Sequence, residues 1–333
     1  MPEPAATVML AAEADGQIGF GHAARCASLH TALASRGIPT ALRIRASDEA
    51  TGWLASRQVA FERVPRRRAL FRSLREAGAP PVLVVTDLLH TSKRTVDAWR
   101  AAGADWVVQI NDSGSFAVGA DAYVDVDATR LDLSRPPDAP IASGFEFALV
   151  HEAVRQARPL SSVELAGQPR LLLTCGGADP GCVTESVVDA LDRWRGGTLT
   201  VLCGAGWTCA RRDAMHRRAR AGRLVLDAQP SLIARMLEHD VVVTIGGATA
   251  LEACCLGRSV VVVPWAHLAR HAARMARLGL AHVVEPRGLR RLLADADALR
   301  RRARAGFEAV DGRGAERIID FLLKRLPSEG DPR

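Results

Sequence analysis

Short apolar runs rich in β-forming residues alternate with stretches of helical composition along almost the whole chain, and few architectures accept that order. Residues 7–12 read as a strand and 21–36 as a helix; 40–44, 81–86 and 105–109 follow as strands with helical segments between them. A βαβ rhythm of this kind predicts a parallel sheet covered by helices on both faces. The rhythm fades over 125–168, where Pro136, Pro137 and Pro140 crowd the chain, and 147–158 reads as a helix crossing between domains. It then restarts, with strands over 170–174, 198–202, 224–226, 241–244 and 259–263 and helices over 182–193, 207–219, 248–255 and 267–278. The 333 residues suit two domains better than one. The expected fold is therefore α/β, with two Rossmann-like parallel-sheet domains facing a cleft. Their expected bounds are 1–150 and 169–327, with a linker and crossover over 151–168 and a frayed tail over 328–333.

In open parallel sheets, ligands sit beyond the carboxyl ends of the strands. The residues just after the strands are therefore the ones to read for chemistry. The first strand–helix connection runs Asp15-Gly16-Gln17-Ile18-Gly19-Phe20-Gly21-His22-Ala23-Ala24-Arg25. Gly19 and Gly21 allow a sharp turn and a close ligand approach, and the following helix aims its free N–H groups at that space. His22 stands at the helix mouth, where the dipole disfavours an imidazolium and a neutral ring can serve as general base. A structural turn followed by a helix-start histidine explains the same residues. Ala24 breaks a GxGxxG pattern, which argues against a dinucleotide fingerprint.

Two further glycine pairs follow strands. Gly176-Gly177, ahead of Ala178-Asp179, allows backbone approach to a phosphate or sugar; a tight turn capped by Asp179 is the alternative, and both can hold. Gly246-Gly247-Ala248-Thr249 is the stronger anion signal, with helix N–H groups and the Thr249 hydroxyl placed to cradle a diphosphate. Glu252, one turn further on, could accept both hydroxyls of a ribose or simply complement the helix dipole. Asp87, Asn111 and Asp112 follow strands and could face the cleft or close turns. His90 and His267 also follow strand ends and are ambiguous.

Several function classes are excluded by composition and motif. The net charge of +7 raises nucleic-acid binding, but the arginines are scattered. Arg66-Arg67-Arg68 and the set from Arg211-Arg212 to Arg223 read as solvated helix faces, so no nucleic-acid partner is expected. A mild positive field would still draw in a diphosphate. The seven cysteines form no CxxC pair and no metal-like spacing, which points to reduced thiols and a cytoplasmic setting. Neither G-x-S-x-G, HExxH nor Walker A occurs, so no metal and no cofactor is called for. The opening Met1-Pro2-Glu3-Pro4 lacks a signal peptide's basic and apolar regions. No run approaches the roughly 20 apolar residues of a membrane span.

Taken together, these segments resemble the UDP-sugar hydrolases of pseudaminic acid biosynthesis and the related spore-coat polysaccharide proteins, within the glycosyltransferase-B superfamily. The resemblance covers about Val8 to Glu285 and is strongest from Gly16 to Arg25, which is similar to the family's I-G-x-G-H-x-x-R signature. Ser143-Gly144-Phe145-Glu146-Phe147-Ala148-Leu149, the Gly176–Asp179 turn, and Gly246–Thr249 with Glu252 are also similar. The resemblance implies that His22 activates water for inverting, metal-independent attack at the anomeric carbon. It also implies that Gly246, Gly247 and Thr249 lie near the diphosphate, and that Glu252 holds the ribose. Asp87 takes the place of the Asp in the family's D-H-Y stretch. This chain departs from the family at Asp87-Leu88-Leu89, which lacks the Tyr, and within His267-Leu268-Ala269, which lacks an Asn-Gln pair. His90 could partly stand in for the Tyr. Both departures fall on the sugar side, so the resemblance implies a retained nucleotide and an altered sugar or acceptor. Three functions follow in order: a nucleotide-sugar hydrolase, a glycosyltransferase passing the sugar to a small-molecule acceptor, and a non-catalytic nucleotide-sugar-binding protein.

Overall fold

The computed structural model describes residues 7–74, 82–111, 116–126, 138–165, 167–177, 179, 181–220, 222–227, 232–266 and 268–324. The chain divides into two compact units, Met1–Glu152 with Arg313–Arg333, and Ala153–Gly312.

The first unit is built from β1 (Thr7–Ala14), α1 (Gly21–Ser35), β2 (Thr40–Ala46), α2 (Asp48–Ser56), β3 (Glu62–Val64), β4 (Val82–Asp87), α3 (Lys93–Ala101), β5 (Trp106–Asn111), β6 (Ala122–Asp125) and β7 (Ile141–Ser143). Single 3-10 turns lie at Arg67–Phe71 and Phe145–Phe147. Its strands form a parallel sheet in the order β3-β2-β1-β4-β5-β6-β7. The chain runs outward from β1 through β2 to β3, then returns to place β4 on the other side of β1. That reversal makes the β1/β4 junction a topological switch point, the place where open α/β sheets generally bind ligands at the carboxyl ends. The strands are near-continuous apolar runs because both faces are covered. One face packs Leu10, Ala12 and Ala14 with Leu29 and Leu33 of α1; the other packs Ala11, Val82 and Val84 with Leu70 and Trp99.

The second unit follows from α4 (Glu152–Gln156), which spans the division, through β8 (Arg170–Leu173), α5 (Val183–Ala190), β9 (Thr198–Cys203), α6 (Cys209–His216), β10 (Arg223–Asp227), α7 (Leu232–Glu238), β11 (Val241–Thr244), α8 (Gly247–Cys255), β12 (Ser259–Val262), α9 (Leu268–Arg277), β13 (His282–Val283), α10 (Leu289–Leu292) and α11 (Ala296–Ala309). Its parallel sheet has the order β10-β9-β8-β11-β12-β13, with a second switch point between β8 and β11.

Three expectations need correction. The stretch 147–158 is not one helix. A 3-10 turn ends at Phe147, and consecutive Ala148, Leu149 and Val150 are all buried, a pattern no single helical face can satisfy. The second domain does not extend to residue 327. The final helix, α12 (Gly314–Leu323), belongs to the first unit, because Ile318, Ile319 and Leu322 fill the core beneath α1. Nor are the arginine runs merely solvated. Arg211 is mostly buried against Asp179 and Glu185, and Arg223 is a buried residue of β10. The expected tail lies outside the described residues. Among the described residues, no helix is long and apolar enough to cross a membrane.

Candidate active site

At the first switch point β1 and β4 pair in register, Ala12 opposite Asp87. Asp87 is the last residue of β4, and His22 is the second residue of α1, the helix that leaves β1. This topology joins side chains 65 residues apart: His22 Nδ1 lies 2.6 Å from Asp87 Oδ1. Arg25, one turn along α1, donates from Nε to Asp87 Oδ2 at 2.7 Å and from Nη2 to Oδ1 at 2.9 Å. All three side chains are buried. The geometry sets the tautomer. Nδ1–H donates to the carboxylate, so the lone pair of a neutral ring sits on Nε2. The 2.9 Å approach of Arg25 Nη2 to Nδ1 is then a close pass rather than a hydrogen bond, because a protonated Nδ1 has no lone pair to accept with. Burial, with the nearby Asp87 charge, raises the thiol pKa of Cys26 on the same helix well above its ordinary value.

The loop that delivers His22 is shaped by its own first residue. Asp15 Oδ1 accepts from Gln17 N and Ile18 N, both at 2.8 Å, and Asp15 O accepts from Gly19 N at 2.8 Å. Burial opposes the Asp15 charge, but these backbone bonds and Arg45 outweigh it and lower its pKa. Gly19 adopts φ +83°, a conformation that strains any residue with a Cβ. Phe20 then anchors the turn on Trp53, with ring centroids 5.5 Å apart. Among the described residues no side-chain hydrogen bond caps α1, and its first N–H groups point toward the strand ends.

The second unit holds the other predicted residues. Gly246 and Gly247 both have positive φ, +105° and +66°, and start α8 just after β11; among the described residues no side-chain hydrogen bond caps it. Gly247, Ala248 and Thr249 are half-exposed on its first turn, and Glu252 is buried one turn further along the Thr249 side. Gly176 and Gly177 follow β8 on the other side of the same switch point, but the helix mouth there is already filled. Asp179 accepts from Val183 N at 3.0 Å and Thr184 N at 3.1 Å, and Arg211 Nη2 backs its Oδ2 at 2.7 Å. Gly177 instead serves packing: its carbonyl accepts from Gly206 N at 2.8 Å, and a Cβ on Gly204 would fall 2.3 Å from that oxygen. Burial opposes the Arg211 charge, yet the Glu185 hydrogen bond and the Asp179 charge outweigh it and raise its pKa.

His267, Ala178 and Asp112 lie outside the described residues. His90 is exposed, and its carbonyl, not its ring, is engaged, by Arg67. Sequence reading passed over Glu13 and Arg45 in the first unit and His271 and Arg274 in the second, and took Arg67, which pairs with Glu13, for part of a solvated helix face. His271 and Arg274 are buried on α9, and a Cβ on Gly246 would stand 3.3 Å from His271 Cδ2. The one sequence signal for them was a charged pair on the inner face of a helix otherwise lined by Ala272 and Met275. Among the described residues, no group of three or more His, Cys, Asp or Glu side chains is placed to hold a metal ion.

No family model and no curated protein matches the chain. Solved structures do. MnaA of S. aureus, in a co-structure with UDP, is 12% identical with a TM-score of 0.69, and the match covers 96% of each chain. The UDP-GlcNAc 2-epimerase of Neisseria meningitidis, bound to UDP-GlcNAc, is 13% identical with a TM-score of 0.62, covering 96% of this chain and 100% of that one. The spinosyn forosaminyltransferase SpnP is 17% identical with a TM-score of 0.59, covering 96% and 99%. At these identities the likeness is one of architecture, and on it the chain has the glycosyltransferase-B fold, two Rossmann-like parallel-sheet domains in one polypeptide.

Proposed function

We propose that the chain binds a nucleoside-diphosphate sugar and breaks its anomeric C–O bond with water, His22 acting as general base. The observation that carries this reading is the buried His22–Asp87–Arg25 group at the β1/β4 switch point. Asp87 holds the imidazole in one tautomer and orientation, and Arg25 keeps that carboxylate charge-balanced when the ring is neutral. His22 Nε2 takes the proton of the attacking water, the water oxygen bonds to the anomeric carbon, and the sugar inverts. The C–O electron pair leaves with the diphosphate. Within the second unit, the N-terminus of α8 from Gly247 to Thr249 suits a diphosphate, since helix-start N–H groups and the dipole both favour an anion. Glu252 would hold the ribose. The fold relatives bound to UDP and UDP-GlcNAc support a uridine nucleotide as the first candidate.

Transfer to an acceptor hydroxyl or amine is the second reading, favoured by the forosaminyltransferase among the fold relatives. The chemistry at His22 is the same with the acceptor in place of water. The test is calorimetric titration with UDP, CDP and GDP, followed by turnover of the conjugates of whichever binds. His22→Ala is expected to lower turnover by about 100- to 10,000-fold, with nucleotide affinity unchanged within a few-fold. Undiminished turnover in His22→Ala removes the histidine from the mechanism. Turnover only when an acceptor is supplied selects the transferase.

A further inference from the structure

The two faces of the β1/β4 junction are chemically distinct. Strand side chains alternate, so Asp87 shares the α1 face with Ala12, while Glu13 and Thr86 share the opposite face with Ala11. Glu13 Oε2 and Thr86 Oγ1 on that second face, and Thr91 Oγ1 in the segment that follows β4, are buried without a hydrogen-bond partner among the described residues. Glu13 is nearly inaccessible, and its Oε1 is fixed by Arg45 Nε at 2.9 Å. Arg67 Nη1 stands 3.3 Å from Oε2, an ion pair without hydrogen-bond alignment. The same arginine donates to the carbonyl of His90, which tethers the segment carrying Thr91 to Glu13. Arg45 also bonds Asp15, so two carboxylates are balanced by two guanidiniums.

Buried polar oxygens without partners are costly, and a carboxylate oxygen most of all. A fold that keeps three at and just beyond the ends of β1 and β4, balanced in charge, suits a neutral ligand rich in hydroxyl groups. An anion would meet Glu13, and a cation would meet Arg45 and Arg67. We infer that Glu13, Thr86 and Thr91 form a hydroxyl-binding subsite for the sugar ring of the substrate, reached when Arg67, the partly exposed member of the group, moves off Glu13 Oε2. A sugar hydroxyl donates to Oε2, and the threonines pair with its neighbours. The subsite flanks the same strand ends as His22 and Asp87, from the other face of the sheet. The inference rests on the nucleotide-sugar reading above.

The test compares free nucleoside diphosphate with its glucose, galactose and N-acetylglucosamine conjugates by calorimetry, in a His22→Ala background that preserves the conjugates. Glu13→Gln and Thr91→Val are expected to weaken the best-bound conjugate by about 10-fold and about 5-fold, while free diphosphate changes less than two-fold. Equal weakening of conjugate and diphosphate makes Glu13 a structural residue and overturns the subsite, as does no weakening of either. If Glu13→Gln fails to fold, Thr91→Val and Thr86→Val decide by the same ratio. Absence of any diphosphate binding by the unsubstituted protein rejects the nucleotide-sugar reading itself, a result distinct from binding without discrimination by Glu13.

Discussion

Asp87 concentrates the demands of the site on one side chain. Its two oxygens receive three N–H donors, one from His22 and two from Arg25, with no solvent contact. Replacing it with Asn removes the charge that balances Arg25 and offers an amide N–H₂ where His22 needs an acceptor. Breaking a buried ion pair by removing one partner costs about 3–5 kcal/mol, and an asparagine in this position lets the ring adopt the wrong tautomer. Asp87→Asn is therefore expected to lower turnover by about 10,000-fold and to shift the urea midpoint downward. A folded Asp87→Asn protein with turnover within ten-fold of the parent would remove the tautomer role. The sequence singled out His22 by its place at a helix start, Asp87 by its place at a strand end, and Arg25 by the resemblance of the Gly16–Arg25 stretch to a family signature. Glu13 and Arg45 were not. Their pairing depends on Glu13 lying opposite Arg45 in the β1–β2 register, which no local pattern states.

Three glycine-bearing helix mouths looked alike in sequence, and the elements separate them. Among the described residues no side-chain hydrogen bond caps the N-terminus of α1 or α8, whereas that of α5 is occupied by the Asp179 carboxylate, itself held by Arg211. An anion is therefore favoured at α8 and opposed at α5. Gly247 and Gly176 have similar backbone angles, φ +66° and +76°. Alanine at either is expected to cost about 1–2 kcal/mol from the strained backbone. Gly247→Ala should also weaken nucleoside diphosphate binding by about 10-fold, and Gly176→Ala should leave it within two-fold. Thermal melts and calorimetry on the pair check this; equal loss of affinity in both would mean that the α8 mouth has no special part in binding. The Asp179 cap was readable as an alternative from the Gly-Gly-Ala-Asp spacing. Its Arg211 partner, 32 residues away on α6, was not.

At the scale of the molecule, the polypeptide leaves its first unit at α4 and returns to it with α12. Ile318, Ile319 and Leu322 are buried in the first unit's core, and Arg317 Nη1 donates to Glu146 O at 2.8 Å. The return is close: a Cβ on Gly314 would fall 2.1 Å from Ala148 O. Ile318→Ala removes buried methyls and is expected to cost about 2–5 kcal/mol. Hydrogen exchange should show the loss as faster exchange in β1 and β4, with β8 and β11 unchanged. Equal acceleration in both sheets would mean that α12 does not belong to the first core alone.

The order and kind of the elements came from the sequence by itself. Apolar periodicity is a local property, and strands such as β11, with the glycines that follow them, leave a mark within ten residues. Short β3, β6, β7 and β13 left too little pattern to be read. Only the tertiary structure decided that β4 lies beside β1, that Asp87 therefore meets His22, that Asp179 closes one helix mouth while another stays open, and that the last helix rejoins the first unit. These follow from which surfaces bury one another, and burial between distant segments is a property of the packed sheet that no stretch of sequence carries alone.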